Sequence, residues 1–289
     1  MPFKFICDIF KPGEADFIVF GAPLGKDSKK VLTSLRKVSD FVETFDLDKK
    51  RNIFDNIKTA DIGDLKLKKL NEITEKCEEI LKLGKIPLML ARGHLASLYS
   101  LKAFTEDVKV IVFDAHADLK NKYEHPMMTS YYRSIIRDKK SLFKFNGATW
   151  LRRFCESRKN EVALIGVRSC DEFEFDYMKK RNILFFTPNQ IRKNMKKVKK
   201  ELGNFLDGSK FYVSFDIDAF DPSIAPAVEY LEPNGLFFHE FADLIKSFKR
   251  SKMVGLDLNC QKYSPDNQTT DFLATKTIIE ILSYFNKSK

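Results

Sequence analysis

The sequence has no apolar run of membrane-spanning length, no Cys-x-x-Cys spacing, and no repeat, linker or low-complexity block. A bilayer crossing needs roughly 20 mostly apolar residues, so a membrane-spanning reading has no support. The five cysteines (Cys7, Cys77, Cys155, Cys170, Cys260) are odd in number and scattered. That argues against a disulfide framework or a thiolate zinc site, and for a reducing compartment. The opening MPFKFICDIFKPGEAD is apolar only briefly before Asp8 and the Pro12-Gly13 pair, which makes a poor signal peptide. These absences predict a soluble cytoplasmic protein, and the missing linker predicts one domain over residues 1–289.

Basic residues outnumber acidic ones, 50 to 40. The lysines are spread through helical patterns such as Lys66 to Lys85 and Arg192 to Lys200, among leucine, isoleucine and glutamate. This is the distribution of a solvated surface, and it predicts no nucleic-acid partner.

Short apolar or β-branched runs alternate with stretches of helical period. The runs are Phe17 to Gly21, Pro87 to Ala91, Val108 to Phe113, Val162 to Val167, Ile183 to Phe186, Phe211 to Phe215 and Met253 to Leu258. Leu67, Leu70, Ile73, Cys77, Ile80 and Leu81 share one helix face, with Gly84 where a C-terminal cap belongs. Further helical stretches fall near Leu95–Phe104, Glu172–Lys180, Gln190–Phe205, Glu240–Phe248 and Thr270–Phe285. Continuous apolar strands separated by helices indicate a parallel sheet covered on both faces, hence a three-layer αβα fold. Lys120 to Asn160 is the least regular segment, and its Arg137 to Lys144 stretch reads as a surface excursion.

In such sheets functional residues gather beyond the carboxyl ends of the strands. Asp114-Ala115-His116-Ala117-Asp118 follows the strand VKVIVF, and Asp216-Ile217-Asp218 closes FYVSF. His94 follows IPLML in the same manner. Carboxylates this dense at the rim of an apolar core repel one another and lose hydration, and cations relieve both costs. Four aspartates and an imidazole exceed what one catalytic zinc takes and suit two ions roughly 3.5–4 Å apart. Oxygen and imidazole donors favour Mn²⁺ over Mg²⁺, Fe²⁺ or Zn²⁺. Taken singly, each motif also reads as a capped loop or turn, and a lone histidine as a satisfied polar residue.

At these residues the chain resembles the ureohydrolase family of arginase and agmatinase. The likeness spans nearly the whole length through GAPLG, DIGD at Asp61 to Asp64, DAHAD, IGVRS at Ile165 to Ser169, SFDIDAFDP and the closing GLDLN…DNQTTDFLATKTI. The resemblance implies an eight-stranded, mostly parallel sheet and assembly as trimers or hexamers. It implies one metal held by His94, Asp114, Asp118 and Asp216, and a second held by Asp114, His116, Asp216 and Asp218. It further implies hydrolysis of a guanidino compound to urea and an amine, agmatinase-like, in polyamine metabolism, with Asp118 passing a proton to the departing amine. The same metal chemistry on a formimidoyl or other guanidino compound, and a non-catalytic metal-binding role, are the alternatives.

Three departures bear on the site. The family's GGDHS reads ARGHLAS here, with Arg92 beside the histidine. The family's downstream histidine has two candidate positions: His125, only 11 residues after Asp114 (125 − 114), or the Asn146–Arg153 segment, which puts Gly147 in its place. The guanidinium-binding glutamate is replaced by Cys260 or its neighbour Asn259, leaving Glu229 or Glu232 to supply negative charge. Asp171, three residues after Arg168, matches a substrate-contacting aspartate, and a helix N-cap explains it equally.

Overall fold

The computed structural model describes residues 4–6, 10–47, 50–55, 57–104, 107–126, 131–133, 135–159, 161–248 and 250–285. In chain order the strands are β1 (Phe17–Ala22), β2 (Phe45–Asp46), β3 (Arg51–Asn52), β4 (Thr59–Asp64), β5 (Ile86–Ala91), β6 (Lys109–Phe113), β7 (Val162–Ile165), β8 (Leu184–Phe186), β9 (Lys210–Asp216) and β10 (Lys252–Asn259). The helices are α1 (Ser28–Ser39), α2 (Asn71–Lys82), α3 (Leu95–Lys102), α4 (Lys139–Lys144), α5 (Trp150–Ser157), α6 (Glu172–Lys180), α7 (Pro188–Lys193), α8 (Met195–Leu206), α9 (Phe238–Ile245) and α10 (Thr269–Phe285). Eight strands form one sheet in the order β4-β1-β5-β10-β9-β6-β7-β8, and every pairing within it is parallel.

Alternation along the strands explains the three layers. Phe17 and Val19 of β1 face a core built with Val31 and Leu32 of α1, Leu202 of α8, Phe241 of α9 and Ile278 of α10. Ile18 and Phe20 face the opposite core, with Ile73 and Ile80 of α2, Leu98 of α3, Trp150 and Phe154 of α5 and Met178 of α6. With both faces buried, the central strands carry no polar alternation, and this is why they read as continuous apolar runs.

The seven expected strands are present. The eighth, β4, was not among them, because TADIGD carries two aspartates and a glycine and buries only its first three residues. An edge position makes that composition tolerable. Arg36 of α1 pins it, bonding Asp61 Oδ2 and Asp64 Oδ1 at 2.6 Å each. Gly21 is required there, since a Cβ at that point would sit 2.0 Å from the Asp64 carboxylate. The stretch read as one helix over Gln190–Phe205 is two, split at Asn194, whose backbone is non-helical and whose side chain caps α8 by accepting the Lys197 amide. α1 and α5 were also unforeseen. Gly84 ends α2 with φ +70, as expected of a C-terminal cap. Cys7 lies outside the described residues; Cys77, Cys155, Cys170 and Cys260 are free. Among the described residues no helix is long and apolar enough to cross a membrane.

Candidate metal centre

Because all eight strands run the same way, their carboxyl ends share one edge. The four central neighbours β5, β10, β9 and β6 lie where the chain order breaks, which is where open parallel sheets place ligands. His94 follows β5, Asp114 to Asp118 follow β6, Asp216 ends β9 with Asp218 in the turn after it, and Cys260 follows β10.

Backbone amides explain the spacing of the two motifs. Asp114 Oδ1 accepts the His116 amide at 2.6 Å, Asp216 Oδ1 accepts the Asp218 amide at 2.9 Å, and Asp218 Oδ1 accepts the Ala115 amide at 3.0 Å. Each carboxylate thus spends one oxygen on the turn and turns the other inward. The inward oxygens converge on two imidazoles. His94 Nδ1 lies 3.1 Å from Asp114 Oδ2, 3.1 Å from Asp118 Oδ2 and 3.3 Å from Asp216 Oδ2. His116 Nδ1 lies 3.0 Å from Asp218 Oδ2 and 3.5 Å from Asp114 Oδ1.

Crowding shifts the titration of His94, His116, Asp114, Asp118 and Asp216. Burial opposes the charging of His94, yet Asp114, Asp118 and Asp216 hold it well above its ordinary value. For His116, burial is likewise overcome by Asp218 and Asp114, which push it up to about 12. Burial, and then the charge of Asp114, raises Asp118 to about 6. Burial with Asp218 and Asp114 keeps Asp216 well above the carboxylate range. Asp114 moves the other way: both imidazoles lower it against the pull of burial.

Three donor groups in this cluster could hold a metal ion, each with ligand atoms within 4.8 Å of one another: His94, Asp114 and Asp118; Asp114, His116 and Asp218; His94, Asp216 and Cys260. His94 and Asp114 are 2% and 1% exposed, and His94 Nδ1 and Asp114 Oδ2 have no hydrogen-bond partner. Buried polar atoms left so are rare and call for an occupant.

A second layer holds the first. His94 Nε2 meets Ser214 Oγ at 3.0 Å, and that hydroxyl donates to Asp257 Oδ1 at 2.8 Å. Tyr212 Oη donates to Asp257 Oδ2 at 2.6 Å. Trp150 Nε1 donates to Asp118 Oδ2 at 2.8 Å, and its ring packs on His94 with centroids 4.6 Å apart. None of Ser214, Asp257 and Trp150 was singled out from the sequence. A serine or aspartate inside an apolar strand was the available signal for the first two.

The cluster opens into a cavity of about 430 Å³. His94, His116, Asp118, Asp216 and Asp218 line it, while Asp114 lies behind them. Glu229 pairs with Arg92 at 3.1 Å, and that guanidinium lies over Tyr131 with 4.7 Å to the ring centroid. Glu232 Oε1 is 3.7 Å from His116 Nε2. Asp171 lines the cavity and also caps α6, accepting the Glu174 amide at 2.9 Å and pairing with Lys120. The two candidate positions for the downstream histidine separate here. Gly147 lines the cavity; His125 does not, and its ring stacks on Tyr123 with centroids 5.9 Å apart.

The sequence profile of the arginase family matches residues 15–283. Relatives include an uncharacterised 32.2 kDa protein in the hmfB 3′ region of Methanothermus fervidus. It is 31% identical over 231 residues, 78% of this chain and 74% of its own. The agmatinase of Bacillus anthracis is 28% identical over 263 residues, 85% and 83% of the two chains. The crystal structure of agmatine ureohydrolase of Thermoplasma volcanium superposes with a TM-score of 0.80 at 25% identity, over 98% of this chain and 94% of that one.

Proposed function

The chain belongs to the arginase family, and on that premise we propose that it is a binuclear metal-dependent hydrolase that cleaves a guanidino compound to urea and an amine, in the manner of an agmatinase. The observation that carries this reading is the ring of three carboxylate oxygens 3.1 to 3.3 Å from His94 Nδ1. Mutually repelling acids held inward around an imidazole nitrogen that makes no hydrogen bond fit cations. His94, Asp114, Asp118 and Asp216 would hold one ion, and Asp114, His116, Asp216 and Asp218 the other. Their oxygen and imidazole donors suit Mn²⁺. When bound, such a pair lowers the pKa of water and polarises the bond to be cleaved.

The chain's own groups supply the rest. Asp118, on the cavity wall beside the proposed ions, accepts a proton from the attacking water and delivers it to the departing amine nitrogen. Glu229, Glu232 and Asp171 on the cavity wall give a cationic substrate its negative surroundings. Tyr230 on the same wall is an aromatic side chain within reach of the same cation. The family likeness further supports a cytoplasmic homo-oligomer, trimer or hexamer, whose amine product suits polyamine metabolism.

The test is an assay on the Mn²⁺-loaded protein of urea release from agmatine, arginine and guanidinobutyrate, and of formamide release from formimidoylglutamate. Urea from agmatine above the others is expected. Fully loaded protein that hydrolyses none of the four would refute the proposal.

A further inference from the structure

Cys260 stands one residue beyond β10, between the strand ends that carry His94 and Asp216. Its amide donates to the Arg92 carbonyl at 3.1 Å, tying it to the loop that delivers His94. Its backbone is left-handed, with φ +67. The thiol is half-buried at the cavity wall, and its sulfur lies within 4.8 Å of a His94 ring nitrogen and an Asp216 carboxylate oxygen. The neighbouring His94 Nδ1 and Asp114 Oδ2 are buried, lie 3.1 Å apart and make no hydrogen bond, so the sulfur joins a crowded set of donor atoms.

We propose that Cys260 is a further donor to the cation shared by His94, Asp114, Asp118 and Asp216, so that this position takes a softer metal than its neighbour. The inference rests on the binuclear reading above and adds a ligand outside its six residues. Thiolate selects Zn²⁺, Co²⁺ or Fe²⁺ over Mn²⁺, whereas the Asp114, His116, Asp216 and Asp218 position offers only oxygen and imidazole. Ligation releases the thiol proton to solvent and needs no oxidant. The two positions therefore differ in chemistry, and the loaded protein holds an unlike pair.

Co²⁺ is the probe, because a sulfur-to-cobalt bond absorbs in the near ultraviolet while cobalt in any ligand field absorbs weakly in the visible. The metal-free protein is loaded with Co²⁺ and its spectrum compared with those of Cys260→Ser and Cys170→Ser. Expected are both absorptions in the wild type, loss of the near-ultraviolet band in Cys260→Ser, and its retention in Cys170→Ser. Visible bands without the near-ultraviolet band, or a band that survives Cys260→Ser, overturn the proposal while leaving the binuclear reading standing. No cobalt uptake defeats both. Should Cys260→Ser fail to fold, alkylation of the wild type read by mass spectrometry serves instead. Zn²⁺ should shield Cys260 more than Mn²⁺ does, and equal labelling under both refutes the assignment.

Discussion

The indole nitrogen of Trp150 donates to Asp118 Oδ2 at 2.8 Å while the same ring packs on His94 at 4.6 Å between centroids. One side chain therefore orients two proposed ligands of the same cation. Outer groups of this kind change metal affinity or activity by roughly 10–100-fold when lost. Trp150→Phe removes the donor, so it should weaken metal binding in that range, and the smaller ring in this fully buried position should also cost about 1–3 kcal/mol of stability. Trp150 is also the single tryptophan of the chain. Its emission should fall on titration with paramagnetic Mn²⁺ and saturate with site occupancy. An emission that ignores metal would contradict the placement.

Glu229 neutralises Arg92, which is 8% exposed. Glu229→Gln should raise KM for a cationic substrate about tenfold with kcat little altered, the pattern of a group that binds ground state and transition state alike. It should also cost about 1–2 kcal/mol in denaturant unfolding, because Arg92 stays buried with its charge partner gone. Unchanged KM would remove Glu229 from the substrate site.

Ser214 is the sole link between His94 Nε2 and Asp257 in the hydrogen-bond chain described above. Ser214→Ala should free the imidazole to turn and weaken metal binding roughly 10–100-fold. Tyr212→Phe, which leaves that link intact and strips one donor from the buried Asp257, should instead cost about 1–3 kcal/mol of stability with metal affinity nearly preserved. Equal effects of both substitutions on metal affinity would argue against His94 orientation as the cause.

With no metal bound, the surrounding carboxylates favour the protonated form of both imidazoles, holding His94 well above its ordinary value and pushing His116 up to about 12. Ligation takes the neutral ring, so loading should release about two protons or more per chain in weakly buffered solution. The sign follows: rising pH removes the competing protons, so metal affinity increases with pH. Because the His116 value lies near 12, the increase should continue well past 6.5, the value of an ordinary imidazole. A plateau just above 6.5 would show that the carboxylates do not hold these protons.

Much of the sheet was legible because burial on both faces leaves apolar runs such as VKVIVF and FYVSF, and motifs ending such runs must fall at one edge of a parallel sheet. β4 was not legible, since an edge strand is free to carry Asp61, Gly63 and Asp64, and its pairing depends on Arg36 far away in sequence. α1 went unread, although Val31, Leu32, Leu35 and Val38 are all buried. Within the site, the inward turn of Asp114 and of Asp216 is local and follows from the amide two residues on. Trp150 and Cys260 are different: their roles come from neighbours that only the assembled sheet supplies, Trp150 reaching back 32 residues to Asp118 and Cys260 standing beside the loop of His94. The placement of Gly147 rather than His125 at the cavity wall is likewise tertiary, and neither residue's local sequence distinguishes them.

Counting metal on the protein tests the central claim most directly. Elemental analysis after dialysis against divalent metal should give two ions per chain for the wild type and a loss of both in Asp114→Ala, whose carboxylate faces both imidazoles. A wild type that holds no ion, or an Asp114→Ala protein that still holds two, would contradict the account.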